Sequence, residues 1–301
     1  RHFLGAHFVA DVRQAIERHP RLAPGALVLE LTEHGALLDS EATRLRIEAC
    51  HALGVQVSLD DFGTGSASLI HLQALAVSTL KIERRFIRNL LHDAKDLSIT
   101  YGTLRTAQLM GIRVVAEGVE SVELARALVA MGGQHLQGYA IARPMPAAAL
   151  MGWLRDWRDK LPWAAQLGRT SLLGPDGIEA IVSLGTRLRL LLHDALDDEN
   201  RALLESADAH LRCEFGQWCE RHEGRWRHHP EFTALQGQHF ELHGLMQRWL
   251  AEPGERTHLA QLLRPLSDAL RERFWALTLQ AQAPAVFVMQ APANNPACAT
   301  N

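Results

Sequence analysis

The chain has 301 residues, 47% of them hydrophobic and 22% charged, with a formal net charge of −3. That length accommodates two domains, and the faint acidity excludes the broad basic field that draws nucleic acid or anionic membranes. No apolar run approaches the about 20 residues that cross a bilayer, and no secretory signal opens the sequence. The four cysteines, Cys50, Cys213, Cys219 and Cys298, are too few to staple a fold of this size, so reduced thiols and a cytoplasmic setting are expected. The 16 histidines divide evenly between the two halves, so composition alone places no metal site.

In chain order, residues 3–18 read as a helix, 27–31 (LVLEL) as a strand and 40–53 as a helix. A strand follows at 55–59, a short one at 80–82, and a long helix over about 93–110. The run 112–116 (IRVVA) is a strand, 121–131 a helix, and 135–139 a last strand. Short β-rich runs alternating with helices predict a parallel α/β sheet or barrel. Residues 147–160 form a closing helix, followed by a Pro/Gly-punctuated link over 161–176. From 177 to 280 the pattern is helical throughout, over 178–196, 199–219, 230–251 and 257–280, which predicts an all-α four-helix bundle. The tail, 281–301, is rich in Ala, Pro and Asn and is expected to be disordered.

The stretch VSLDDFGTGSAS at 57–68 places Asp60 and Asp61 side by side at a strand end. A helix cap followed by a turn is the plain explanation of such a pair. The chemical one is a divalent cation, which removes the repulsion between adjacent carboxylates. Two cations would clamp the attacking and leaving oxygens of a phosphoryl transfer, and that needs acids from several strand ends. The sequence supplies Glu30 in LVLELTE, Asp60 and Asp61, and Glu117 in VVAEGVE, with Lys81 in STLK and Gln137 in LQGY. Taken singly, Lys81 reads as an ion-pair partner of Glu83. Active sites of α/β barrels are built where the strands end.

Five ordered motifs, ELTE at 30–33, DDFGTG at 60–65, LKIE at 80–83, AEGVE at 116–120 and QGY at 137–139, with RPMP at 143–146, resemble the EAL domain of cyclic di-GMP phosphodiesterases. The resemblance covers residues 1–160 and implies a TIM-barrel-like fold. It implies a first Mg²⁺ or Mn²⁺ on Glu30 and Asp60, with Asp60 bridging, and a second on Asp61 and Glu117. Lys81 would orient the nucleophilic water, Gln137 would hydrogen-bond metal-bound water or phosphate, and Glu33 would anchor the loop 62–68, which in the family serves dimer contacts. A metal-bound hydroxide would open one phosphodiester of cyclic di-GMP to linear pGpG. Two departures stand out: Glu83 replaces the usual Asp, and the family's E-x-L strand and the Asn strand after it are absent. The chain is therefore expected to hold about three-fifths of the domain, with the first strands missing, as a fragment of a longer protein.

In the helical half, CEFGQW at Cys213–Trp218 precedes His239 and His243, which share one helix face at i and i+4. With His193 from an earlier helix these would make a closed tetrahedral Cys–His₃ zinc site. Residues about 178–275 resemble the CZB chemoreceptor zinc-binding bundle. His193 lies 20 residues before Cys213, closer than that family leads one to expect, and His210 is its rival. Trp218, Phe215 and Trp249 are expected in the core. A zinc thiolate is also a redox target, so zinc or oxidation of Cys213 could regulate the enzyme. The functional expectation is a bacterial cyclic di-GMP phosphodiesterase, acting as a homodimer, fused to a zinc-binding sensor. An EAL-type receptor that binds cyclic di-GMP without cleaving it is the alternative, and a purely structural dimerisation partner is a third.

Overall fold

The computed structural model describes residues 2–32, 40–63, 69–160 and 174–280. Glu33, residues 64–68, most of the expected link and the tail lie outside them.

The N-terminal half alternates strand and helix. Helix α1 (Phe8–Glu17) precedes β1 (Val28–Thr32), α2 (Ser40–Ala52), β2 (Gln56–Phe62), α3 (Leu69–Leu75) and β3 (Thr79–Ile82). A short α4 (Arg84–Arg88), α5 (Ala94–Leu109), β4 (Arg113–Glu117), α6 (Val122–Ala130), β5 (His135–Gln137) and α7 (Ala147–Lys160) follow. The local chemistry explains the helix starts after β3 and β4. Asp93 accepts from the Lys95 and Asp96 amides to cap α5, and Ser121 accepts from Leu124 to cap α6. Helix α4 had no sequence expectation, because five residues are too few to show a period.

Among the described residues the five strands are all parallel, in the order β1-β2-β3-β4-β5. Strand order that follows sequence order, with crossovers of one hand, keeps the crossover helices on one side of the sheet. This is the winding of an α/β barrel rather than of a doubly wound sheet. The helix-facing residues Val57, Leu59, Leu80, Ile82, Val114 and Ala116 are buried, each large aliphatic one contributing about 1.5–3 kcal/mol. Because side chains alternate along a strand, the register puts Glu30, Ser58, Asp60, Thr79, Lys81, Glu117 and Gln137 together on the other face.

The C-terminal half is helical: α8 (Gly174–Leu192), α9 (Asp198–Glu205), α10 (Ala209–Arg212), α11 (Glu214–Trp226), α12 (Pro230–Ala251) and α13 (Arg256–Gln280). The helix expected over 199–219 is thus three pieces. Ser206 leaves helical geometry in an extended conformation, and Cys213 does so again as N-cap of α11. Helix α8 packs on α11, and α12 lies against α13. Phe215, Trp218, Phe232 and Phe274 meet in one aromatic core, in line with the core expected for Phe215 and Trp218.

The two halves share a packed junction. Helix α8 lies on α5, and Tyr101 Oη donates to Glu179 Oε1 at 2.8 Å. The buried Arg271 of α13 donates to the carbonyls of Leu91 and His92. A Cβ on Gly185 would stand 3.3 Å from the Ala94 Cβ, so the helices approach closely there. Among the described residues, no helix is long and apolar enough to cross a membrane.

Candidate functional site

The open face of the sheet carries an acidic cluster around one lysine. Lys81 Nζ lies 2.7 Å from Glu117, 3.0 Å from Glu30 and 3.3 Å from Asp60. Lys81 is buried, while Glu30 is 54% exposed. Burial by itself lowers the ammonium pKa, but hydrogen bonds to Glu117 and Glu30 and the charges of Glu117 and Asp60 outweigh it and hold the group above its ordinary value. The plain Lys81–Glu83 ion pair, the alternative for Lys81 taken singly, is not made; Glu83 pairs with Arg85 at 2.9 Å.

A local irregularity answers why two aspartates stand together. Leu59 pairs with Leu80 and Phe62 with Ile82, so Asp60 and Asp61 on β2 oppose the single residue Lys81 on β3. This is a β-bulge, a device that re-aims side chains beside functional sites. Asp61 adopts φ 58°, and its amide donates to Asp60 Oδ1 at 3.0 Å. A left-handed backbone is uncommon outside glycine but is tolerated by Asp.

Three carboxylates against one ammonium leave two negative charges in excess. Hard oxygen donors in such surplus suit Mg²⁺ or Mn²⁺. Here the ammonium sits between the acids, and no three of them bring oxygens within 4.8 Å of one another. Gln137 is exposed at the end of β5, in register with Glu117. The glycine after it has a steric cause: a Cβ on Gly138 would lie 2.2 Å from the Val119 carbonyl oxygen. Gly138→Ala should therefore cost about 1–3 kcal/mol by overcrowding, read as a lower midpoint in urea. An unchanged midpoint would mean that the main chain there yields freely.

The helical half holds a second cluster. Among the described residues, the one group of three or more His, Cys, Asp or Glu with donor atoms within 4.8 Å of one another is Cys213, His239 and His243, all buried. Cys213 Sγ lies 3.2 Å from His239 Nε2 and accepts from the Gly216 amide at 3.3 Å. Gly216 is required at that spot, since a Cβ there would lie 1.9 Å from the His210 carbonyl oxygen. Both ring nitrogens of His243 are buried without a hydrogen-bond partner among the described residues. Burial, then the neighbouring His243, His210 and Arg187 charges, push the His239 pKa down to about 3. Burial, Arg187 and His210 push His243 down to about 4. Burial raises the Cys213 thiol, partly offset by the Gly216 amide and Arg187. Neutral imidazoles beside a sulfur donor suit zinc.

His193 is not in this cluster. It sits exposed at the end of α8, in a groove with His92, Asp93, Arg189 and Arg271. His210 is half-buried, and its ring packs edge-on against Phe240 at 4.8 Å. Sequence reasoning missed Arg187, a buried cation whose charge acts on all three cluster residues. Its signal was legible: it shares the helical stripe of Leu184, Leu188 and Leu191, which are buried, and a charge on an apolar stripe calls for a partner.

The fold and the first cluster define a parallel α/β unit with acids at the strand ends. Comparison with known proteins gives that unit a family: residues 1–144 match the EAL domain. Residues of this chain are 42% identical over 149 positions to the bifunctional diguanylate cyclase/cyclic di-GMP phosphodiesterase MucR of Pseudomonas aeruginosa, covering 50% of this chain and 22% of that protein. The cyclic di-GMP phosphodiesterase NbdA of the same organism is 38% identical over 153 residues, 51% of this chain and 19% of its own length. A solved structure of PaMucR phosphodiesterase in complex with c-di-GMP superposes with a TM-score of 0.47 at 42% identity, over 50% of this chain and 60% of that one. The chain thus spans about a fifth of the length of these curated relatives.

Proposed function

We propose that this chain is part of a cyclic di-GMP phosphodiesterase that opens one phosphodiester to give linear pGpG. The observation that carries the reading is the convergence of Glu30, Asp60 and Glu117 on Lys81, with Asp61 set beside them by the bulge. The EAL match and the activity named for MucR and NbdA support it. Glu30, Asp60, Asp61 and Glu117 would hold two divalent cations, Mg²⁺ or Mn²⁺. Bound cations supply charge neutralisation at the phosphate and lower the pKa of attacking water. Within the chain, Lys81 would orient the attacking water and the carboxylates, and Gln137 would hydrogen-bond the phosphate. The acting unit is a homodimer in the bacterial cytoplasm.

The helical half, residues 177–280, is by the same proposal a zinc-binding sensor of CZB type. Cys213, His239 and His243 are its ligands, and the junction through Tyr101–Glu179 and Arg271 relays its state to the α/β half. His193, by its position, leaves the fourth place to another group.

Asp61→Asn in the full-length protein should lower turnover of cyclic di-GMP at least about 10²–10³-fold, measured by chromatography of pGpG with Mg²⁺ or Mn²⁺ present, while thermal unfolding changes little. Retained turnover would remove Asp61 from the site. Tight cyclic di-GMP binding by the wild type without pGpG would establish the receptor alternative. Cys213→Ala should abolish the zinc that survives dialysis, counted by elemental analysis, and unchanged zinc would exclude this residue as a ligand.

A further inference from the structure

The Cys213, His239 and His243 donors come from the start of α11 and from α12. A fourth protein ligand would have to come from the facing helices. Helix α8, which packs on α11, turns Ser183 and Arg187 toward Glu214, the residue next to Cys213. It places no histidine there; His193 lies at its far end. Arg187 is 5% exposed and firmly oriented. Its Nε donates to Asn200 Oδ1 at 3.0 Å and its Nη2 to Glu214 Oε2 at 2.9 Å. Its Nη1 is buried and has no hydrogen-bond partner among the described residues. An unpaired guanidinium N–H in the interior is costly; the side chain that carries this one bonds Glu214, the neighbour of Cys213, and both ring nitrogens of the cluster's His243 are also without a partner among the described residues.

Resting on the zinc reading above, we infer that this centre keeps its fourth coordination position for a small monoanion, and that Arg187 is the residue that positions that anion. Three protein ligands with one open place is the arrangement of reactive rather than structural zinc sites. The charges agree. A divalent cation with one thiolate, next to the compensated Arg187–Glu214 pair, leaves one positive charge in the interior, and a single monoanion cancels it. The anion would take a hydrogen bond from Nη1, satisfying the orphaned donor. Glu214, whose side chain is half exposed, connects this corner to solvent. The helical half would then respond to a diffusible anion.

The test is cobalt substitution of the full chain, followed through the thiolate-to-cobalt absorption band, which reports this centre and not the acidic cluster. Azide is the probe. In the wild type, azide should shift the band saturably. In Arg187→Met the azide dissociation constant should rise at least about 10-fold with the band still present, and Arg187→Lys should fall between, because a point charge lacks the fixed fork. His210→Ala should titrate like the wild type. If the wild type ignores azide, or Arg187→Met and Arg187→Lys titrate as the wild type does, the inference is overturned. A wild type that ignores azide while His210→Ala responds would identify His210 as the ligand that closes the site. Absence of the band in every protein would instead overturn the zinc reading itself.

Discussion

Lys81→Met should, on the phosphodiesterase proposal, lower turnover of cyclic di-GMP by the full-length protein about 10²–10³-fold, and it should also change how the protein responds to divalent cations. Lys81 is the sole cation within 4 Å of Glu30, Asp60 and Glu117 among the described residues. Without it three carboxylates face one another uncompensated. Their partial exposure, 54%, 22% and 18% for the side chains of Glu30, Asp60 and Glu117, keeps the penalty moderate, about 1–3 kcal/mol rather than that of a sealed pair. Added Mg²⁺ or Mn²⁺ should restore more stability to the variant than to the wild type, since cations replace the lost charge. The sign with pH is fixed by the raised pKa of Lys81. Its contribution is fully present below the unfolded lysine value of about 10.4 and fades only as pH rises beyond that toward the higher folded value. Urea denaturation of both proteins with and without Mg²⁺ checks this. Equal midpoints and equal metal responses would mean that Lys81 is not the counter-charge of these acids.

At the second cluster, His243→Leu should have opposite effects in the two metal states. In chelator-treated protein the histidine is a buried ring with two unsatisfied nitrogens, 2% exposed. Leucine removes that burden, so the stripped variant should be as stable as the stripped wild type or more so. With zinc, the same change deletes a ligand. Loss of outer-shell partners already costs 10–100-fold in affinity, so zinc binding should weaken at least about 100-fold. A histidine that merely fills the core would show destabilisation in both states, and that outcome would remove His243 from the site. The stripped wild type should in addition be acid-sensitive. His239 and His243 hold folded pKa values of about 3 and 4, against about 6.5 unfolded. Between these limits the unfolded chain binds up to two more protons, so stability falls as pH falls, by up to about 2.7 kcal/mol per pH unit. His243→Leu should roughly halve that slope, measured by urea titrations in chelator at several pH values.

How much of this was legible beforehand follows the range of the forces involved. Strand–helix alternation, the strands and the acids at their ends are local patterns, and the structure keeps them with strand boundaries moved by one to three residues and the start of the first helix by five. The pairing of His239 with His243 is a matter of helical period, and the CEFG stretch carries its own reason in the crowding at Gly216. The long helix expected over 199–219 failed because the apolar period continues through Ser206 and Cys213, whose extended backbones are set by packing and capping rather than by propensity.

The sequence by itself determined the class of the first half and most donors of both clusters, because each residue type and its strand-end or i, i+4 position is written locally. Only the tertiary structure decided which groups meet. It set Asp60 and Asp61 together against Lys81 through one extra residue in a ladder, gave Lys81 to three acids and Glu83 to Arg85, and left His193 away from the thiol while bringing Arg187 onto Glu214, the neighbour of Cys213. Apart from Glu83–Arg85, those pairings span tens of residues along the chain. They depend on strand register and on how helices rotate against each other, and no local pattern records either.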